Sequence, residues 1–284
     1  MPPSTRPIST SALPRRGRAC GDSGCVRYDL PMMSPASRLL AGAIVCWTGA
    51  TAFASEPAVV PGAYLMPSGC CSLDIRRSES GVMRFSIKAA GANGHSCAID
   101  GTIESGRAVV QEGAGLPACE VAFVPRGGGI DVRIVEGAEA GCRGFCGARA
   151  RFDGEYTRPQ PGCNRSAVAA ARKSFKQAYD RKEFARARSL LEPIVGTCTE
   201  WVHWLDMGWI RNDLALAQFR AGEAAACQQT LAGFGPLIDA TEADLRNQHN
   251  YPPSDATSLA AVLRAARYHR KLCTDSPVAT NPGR

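Results

Sequence analysis

Five groups of residues carry side chains able to do chemistry. Asp153 and Glu155 flank Gly154 in Phe-Asp-Gly-Glu-Tyr. On a strand such i, i+2 side chains share a face roughly 6.5–7 Å apart, a separation compatible with the paired carboxylates of a glycosidase. Pairs of that kind come from different elements lining a cleft, so the expected reading is an outward polar face. His95 and Ser96, in Gly-Ala-Asn-Gly-His-Ser-Cys, set a base beside a hydroxyl. Neighbours on a strand face opposite ways, and the Gly-x-Ser-x-Gly elbow is absent, so they read as hairpin-tip residues or a recognition loop. Cys142-x-x-x-Cys146 has workable zinc spacing, yet no second close pair and no Cys-x-x-Cys accompanies it. Disulfides explain it better, and no metal or cofactor is expected. Trp201, Trp204 and Trp209 lie within nine residues. They read as packing between helices or as an aromatic groove for a peptide or glycan, with His203 and Asp206 beside it. Arg264, Arg267, His269, Arg270 and Lys271 read as a solvated helix face, the alternative being a dock for an acidic partner.

The compartment narrows these choices. Arg38 precedes an apolar run, Leu39 to Phe53, that ends in Ala52-Phe53-Ala54, the pattern of a secretory signal peptide over 32–54. The run holds Gly42, Thr48, Gly49 and Thr51 and falls short of the roughly 18 apolar residues a span requires. Residues 1–31 lie upstream of a normal n-region, and Met32 or Met33 is the expected start. The whole chain carries +7, but residues 1–54 hold six Arg and two Asp, which leaves the remainder at +3. That balance gives no reason to expect nucleic acid. Of the 13 cysteines, ten follow the leader, and an even number in an exported chain reads as disulfides.

Positioning falls to two differently composed halves. Residues 57–162 hold 18 glycines and residues 163–284 only six, with Pro159-Gln160-Pro161-Gly162 between them as a linker over 159–162. In the first half Met83, Phe85, Ile87 and Ala89 alternate with Arg84, Ser86 and Lys88, the period of a half-buried strand. Asn93-Gly94 turns this run into a partner over 95–103. Further runs cover 107–111, 119–124 and 130–135, with Gly127-Gly128-Gly129 between the last two, and 148–156 closes the set. The second half reads as helices over about 165–180, 184–195, 200–220, 224–234 and 254–273. An antiparallel hairpin brings Cys163 and Cys198 together, which leaves Cys227 for Cys273. Cys70 and Cys71, on opposite faces of a strand, are expected to have different partners.

Ala178, Phe184, Ala187, Leu191 and Ile194, and then Leu214, Ala215, Gly222, Cys227, Leu231 and Phe234, fall at spacings similar to tetratricopeptide helical hairpins. Aligning Ala187 with Cys227 gives a period of 40 residues, and the family's Trp-x-x-Leu-Gly opening is missing. The resemblance covers about 165–235 and implies a protein-binding scaffold. The stretch Cys142-Arg-Gly-Phe-Cys-Gly-Ala-Arg-Ala-Arg-Phe-Asp-Gly-Glu-Tyr156 resembles the end of small exported lysozyme-inhibitor-like β domains, in which a rigid loop enters a hydrolase cleft. The inhibitors' Ser-Gly-x-x-Tyr loop does not occur, so no inhibitory residue carries over.

The expectation is therefore α+β as two domains. A small disulfide-bonded antiparallel β barrel or sandwich spans 57–158, and an all-α helical-hairpin, tetratricopeptide-like domain spans 163–284. The expected role is non-enzymatic binding of an envelope protein, with inhibition of a peptidoglycan-cleaving enzyme as the sharper form. Candidate contacts are Asn93 and His95, Arg143 and Phe145, and Trp201, Trp204 and Trp209. A carbohydrate-binding module and an envelope glycan hydrolase are the alternatives. No stable membrane anchor is expected.

Overall fold

The computed structural model describes residues 58–275; the expected leader over 32–54 and the segments 1–31 and 276–284 lie outside them. Eight strands form two four-stranded antiparallel sheets, each a simple meander. The first contains β1 (Gly62–Leu65), β2 (Cys71–Arg77), β3 (Met83–Ala90) and β4 (Ser96–Ile103). The second contains β5 (Arg107–Val110), β6 (Cys119–Arg126), β7 (Gly129–Ile134) and β8 (Gly154–Tyr156). A single bridge between Leu65 and Thr157 ties the outer edges together without closing a barrel. The alternation that marks β3 as a strand also sets its register, with Phe85 opposite Ile75 and Gly101, and Ile87 opposite Leu73 and Ile99. A slip of one residue would turn this whole apolar set outward. Phe85 meets Phe123 of the second sheet with ring centroids 4.8 Å apart, and Phe152 and Tyr156 are fully buried beside them.

Two parts of the β region depart from expectation. β1 and β2 went unread, although Leu73 and Ile75 alternate with Asp74 and Arg76. The last run is a strand only at Gly154–Tyr156, because α1 (Glu139–Arg143) and an irregular stretch tied down by disulfides precede it.

The rest of the described chain is helical. α2 (Arg165–Asp180) begins at Asn164, whose side chain accepts the Ala167 N–H, and α3 (Phe184–Thr197) folds back on it. α4 (Trp204–Arg220) and α5 (Ala224–Ala232) make a second pair. The two interhelical turns share a backbone: Lys182 and Gly222 both have positive φ, 61° and 84°, and the next residues, Glu183 and Glu223, donate to Ala178 O and Gln218 O. These equivalences lie 40 residues apart. A 3-10 turn (Gly235–Asp239), α6 (Glu242–Asn247) and α7 (Pro253–Asp275) follow. α6 was not anticipated, though Thr241 and Asp244 form a capping box. Disulfides join Cys163 to Cys198 across the open end of the first pair, with Cα atoms 5.2 Å apart, and Cys227 to Cys273 between α5 and α7. Arg267 and Arg270 of the basic run are not a free solvated face. Arg267 donates to the Ile238 and Ala240 carbonyls, and Arg270 is paired with Asp239, fastening the 3-10 turn to α7.

The described residues lie in one compact unit, and hydrogen bonds cross between its β and helical parts. The β1–β2 turn is one contact: Ser68 N–H donates to Glu200 O at 2.7 Å, and Gly69 lies so close to 201–203 that a Cβ would sit 2.5 Å from the His203 nitrogen. The β3–β4 turn is the other. Asn93, at φ 60°, donates its N–H to the Asp255 carboxylate at 3.1 Å, and its side-chain oxygen accepts Ser254 N–H at 3.1 Å. A residue from the β part thus caps α7, while Asp255 sits in that helix's first turn, where negative charge is favoured. Asp255→Ala is expected to cost about 1–2 kcal/mol, the value of a charge-assisted hydrogen bond plus a helix-end charge. Urea denaturation checks this.

Among the described residues no helix is long and apolar enough to cross a membrane. The four disulfides among the described residues fit an extracellular protein.

Candidate functional site

The segment 139–153 is held more firmly than its lack of regular structure suggests. Cys142, in α1, is bonded to Cys119 at the start of β6. Cys146, three residues beyond α1, is bonded to Cys97 at the start of β4. The short stretch between these cysteines is therefore stapled once to each sheet. Backbone bonds reinforce it: Ala98 N–H donates to Phe145 O at 3.1 Å and Gly147 N–H to Ser96 O at 2.9 Å. Gly141 permits the approach, since a Cβ there would strike the Ala118 carbonyl. Both sulfurs of the Cys142/Cys146 pair are consumed in bridges to strands.

This anchoring sorts the candidate contacts. Phe145 is half-buried, packed against the β core. Arg143 is exposed at the end of α1, and Arg149 and Arg151 are exposed a few residues on. A cavity of about 630 Å³ opens beside them, bordered by Ile134, Glu139, Arg143, Ala148, Arg151 and Phe152. His95 lies against the same segment, with Gly147 leaving room for its ring. Its hairpin neighbour Asn93 is instead engaged with α7.

The carboxylates do not converge. Arg151 grips Asp153 through two bonds, Nε to Oδ1 at 3.0 Å and a terminal nitrogen to Oδ2 at 2.6 Å. That hydrogen bonding holds the Asp153 carboxyl below its ordinary range, the reverse of what a general acid needs. Glu155 lies 3.7 Å from Arg126, and both side chains are exposed.

No family model, no curated protein and no solved structure matches the chain. The site must be judged on its own chemistry.

Two further surfaces bear on it. The three tryptophans do not share one helical face, because α4 starts at Trp204 and Trp201 lies before it. Trp201 is half-buried against the core of the first helical pairs, whereas Trp204 and Trp209 are 38% and 39% exposed. Trp204 lies near both His203 and Tyr251, with centroids 5.5 and 5.7 Å away and the rings tilted by 40° and 47°. Burial lowers the His203 pKa, so this ring is neutral at pH 7.

The sequence reading passed over the outer face of the first sheet. Arg76, Arg84 and Lys88 point outward from β2 and β3 and share a cleft of about 760 Å³ with Asp74, Asp100 and Arg165. In the sequence Arg84, Ser86 and Lys88 read only as the polar half of an alternating strand. Their meeting with Arg165 depends on the helical part docking at Gly69 and Cys70, which no local pattern encodes.

Proposed function

We propose that this chain is an exported, periplasmic or secreted, non-enzymatic binding protein that recognises an envelope protein through the stapled 142–151 segment. In its sharper form it occludes the cleft of a peptidoglycan-cleaving enzyme. The observation that carries the reading is the pair of exposed cationic side chains Arg143 and Arg149, Arg151 being held by Asp153, on a segment covalently fastened to both sheets. A preorganised surface loses little conformational entropy on docking. Glycan-cleaving clefts carry paired carboxylates, and a guanidinium matches a carboxylate with two parallel hydrogen bonds. The helical part is read as a tetratricopeptide-like scaffold, supported by the 40-residue recurrence of the Lys182/Gly222 turns.

The test measures binding to, and inhibition of, a panel of purified glycan-cleaving envelope enzymes. Arg143→Ala is expected to weaken binding about tenfold, or about 1.4 kcal/mol, with an unchanged thermal midpoint. Absence of binding to every enzyme, or wild-type affinity in a double Arg143/Arg149→Ala variant, would refute the proposal. A second reading, a carbohydrate-binding module, has its own support in the exposed Trp204 and Trp209 beside Tyr251. Tryptophan fluorescence that changes saturably with peptidoglycan fragments, and not with enzymes, would favour it.

A further inference from the structure

Ten cysteines lie beyond the expected leader, and eight are paired, four within the β part and four within the helical part. The remaining two, Cys70 and Cys71, do not reach for separate partners as strand alternation led us to expect. Cys70 precedes β2 and so escapes its pleat, at the end of a turn where Ser68 and Gly69 both take positive φ, 80° and 65°. The two sulfurs consequently lie on the same side, 2.9 Å apart. Cys70 is partly accessible, whereas Cys71 is buried in the β core with its sulfur 3.7 Å from the Arg151 carbonyl.

We propose that Cys70 and Cys71 are a thiol–disulfide exchange site that closes to a vicinal disulfide by reaction with a small-molecule disulfide. The surroundings give the two sulfurs different roles. Hydrogen bonding from Cys71, aided by Ser68 and the nearby Arg165 guanidinium, brings the Cys70 thiol down to about 6 against the opposing effect of burial. Hydrogen bonding to Cys70 and then burial push Cys71 upward. Cys70 is the entering nucleophile. Its thiolate attacks one sulfur of the incoming disulfide, forming a mixed disulfide and releasing one thiolate, which takes up a proton. Cys71 then loses its proton and attacks Cys70 Sγ, expelling the second thiol. One dithiol and one external disulfide become one protein disulfide and two external thiols, so the external disulfide is the oxidant and the balance is complete.

Such a bond differs from the other four. Adjacent Cα atoms are held about 3.8 Å apart by the peptide unit, closer than the 4.1 to 6.1 Å of the other four bridges, and the small ring that closes through the peptide bond is strained and easily reduced. Its place gives the reaction a reach beyond itself. Arg165 donates to the Gly69 and Cys70 carbonyls, and Ser68 holds Glu200, so the pair sits in the turn that joins the β and helical parts.

Purified protein is equilibrated with graded mixtures of reduced and oxidised glutathione, quenched, alkylated and mapped by mass spectrometry. In the oxidised buffers the peptide holding residues 70 and 71 should lack two hydrogens and resist alkylation. It should open at a reductant concentration at least about tenfold below that opening the other four bonds. Cys71→Ser should retain one glutathione on Cys70, because nothing resolves the mixed disulfide, while Cys70→Ser should take up none. Two alkylatable thiols at 70 and 71 in wild-type protein under oxidising buffer would overturn the proposal. So would either cysteine linked elsewhere, or reduction in step with the other bridges.

Discussion

Joint replacement of Cys97 and Cys146 by serine is expected to lower the free energy of unfolding by about 4 kcal/mol, from the loop-closure entropy of the 49-residue separation. Replacement of Cys119 and Cys142, which are 23 residues apart, should cost about 3.5 kcal/mol by the same reckoning. Urea denaturation under oxidising conditions, with no added thiol, measures both. The effects are large because each bridge closes a long loop in the unfolded chain, while the native stretch 142–147 is otherwise tied to the strands by two backbone bonds and the partly buried Phe145 ring. A loss under about 1 kcal/mol would mean that those weaker contacts already confine the segment and the bridges add little. The same variants separate rigidity from charge in the proposed recognition. Both leave Arg143, Arg149 and Arg151 in place, so any loss of partner affinity reports the entropy of ordering a loosened segment.

The degree to which this molecule was readable in its sequence followed the range of the interaction involved. Short-range signals served well. The alternation from Met83 to Ala89 gives β3, Asn93-Gly94 gives its turn, and Pro252-Pro253 marks where α7 begins. The bridge from Cys163 to Cys198 follows from the geometry of an antiparallel helical pair, which is itself a local matter. What failed to show was set by contacts between distant segments. Asn93 reads as a free hairpin tip until Ser254 and Asp255 are brought to it. The cleft on the first sheet gains Arg165 beside Arg84 and Lys88 only through the docking of the helical part. Phe145, apolar in a loop, reads as a contact residue, and its half-burial against the β core is a long-range matter that the loop sequence does not show. Cys70 and Cys71 were misread for a smaller reason: the rule that neighbours face apart applies within a strand, and the strand starts one residue too late for it.

The most consequential buried polar contact joins α4 to α7. Asn212, only 1% exposed, donates from its amide nitrogen to the Gly208 and Val262 carbonyls at 3.1 Å, and its oxygen faces His269 Nδ1 at 3.2 Å. Gly208 makes the approach of the two helices possible, since a Cβ there would lie 2.7 Å from the Val262 side chain. Burial lowers the His269 pKa, so in the native protein the ring is neutral and Nδ1–H is the donor. Asn212→Asp keeps the shape but sets a carboxylate against two carbonyl oxygens, and at pH 8 it should cost about 3–5 kcal/mol, as for a buried charge left without a partner. Acidification should return part of that loss. In wild type the His269 pKa is depressed, so stability declines as pH falls below the unfolded value of about 6.5. In the variant the new carboxylate raises it, so the ion pair is fully formed below that value and is lost as pH rises through the folded one. The gap between variant and wild type should therefore narrow from pH 8 to pH 5.5 in urea denaturation. Asn212→Leu, with no charge, should cost about 1–3 kcal/mol and show no such recovery. Adding His269→Gln to Asn212→Asp separates the two ways a proton could help: if recovery persists at the same pH without the imidazole, the carboxyl itself is titrating and the coupling to His269 is absent.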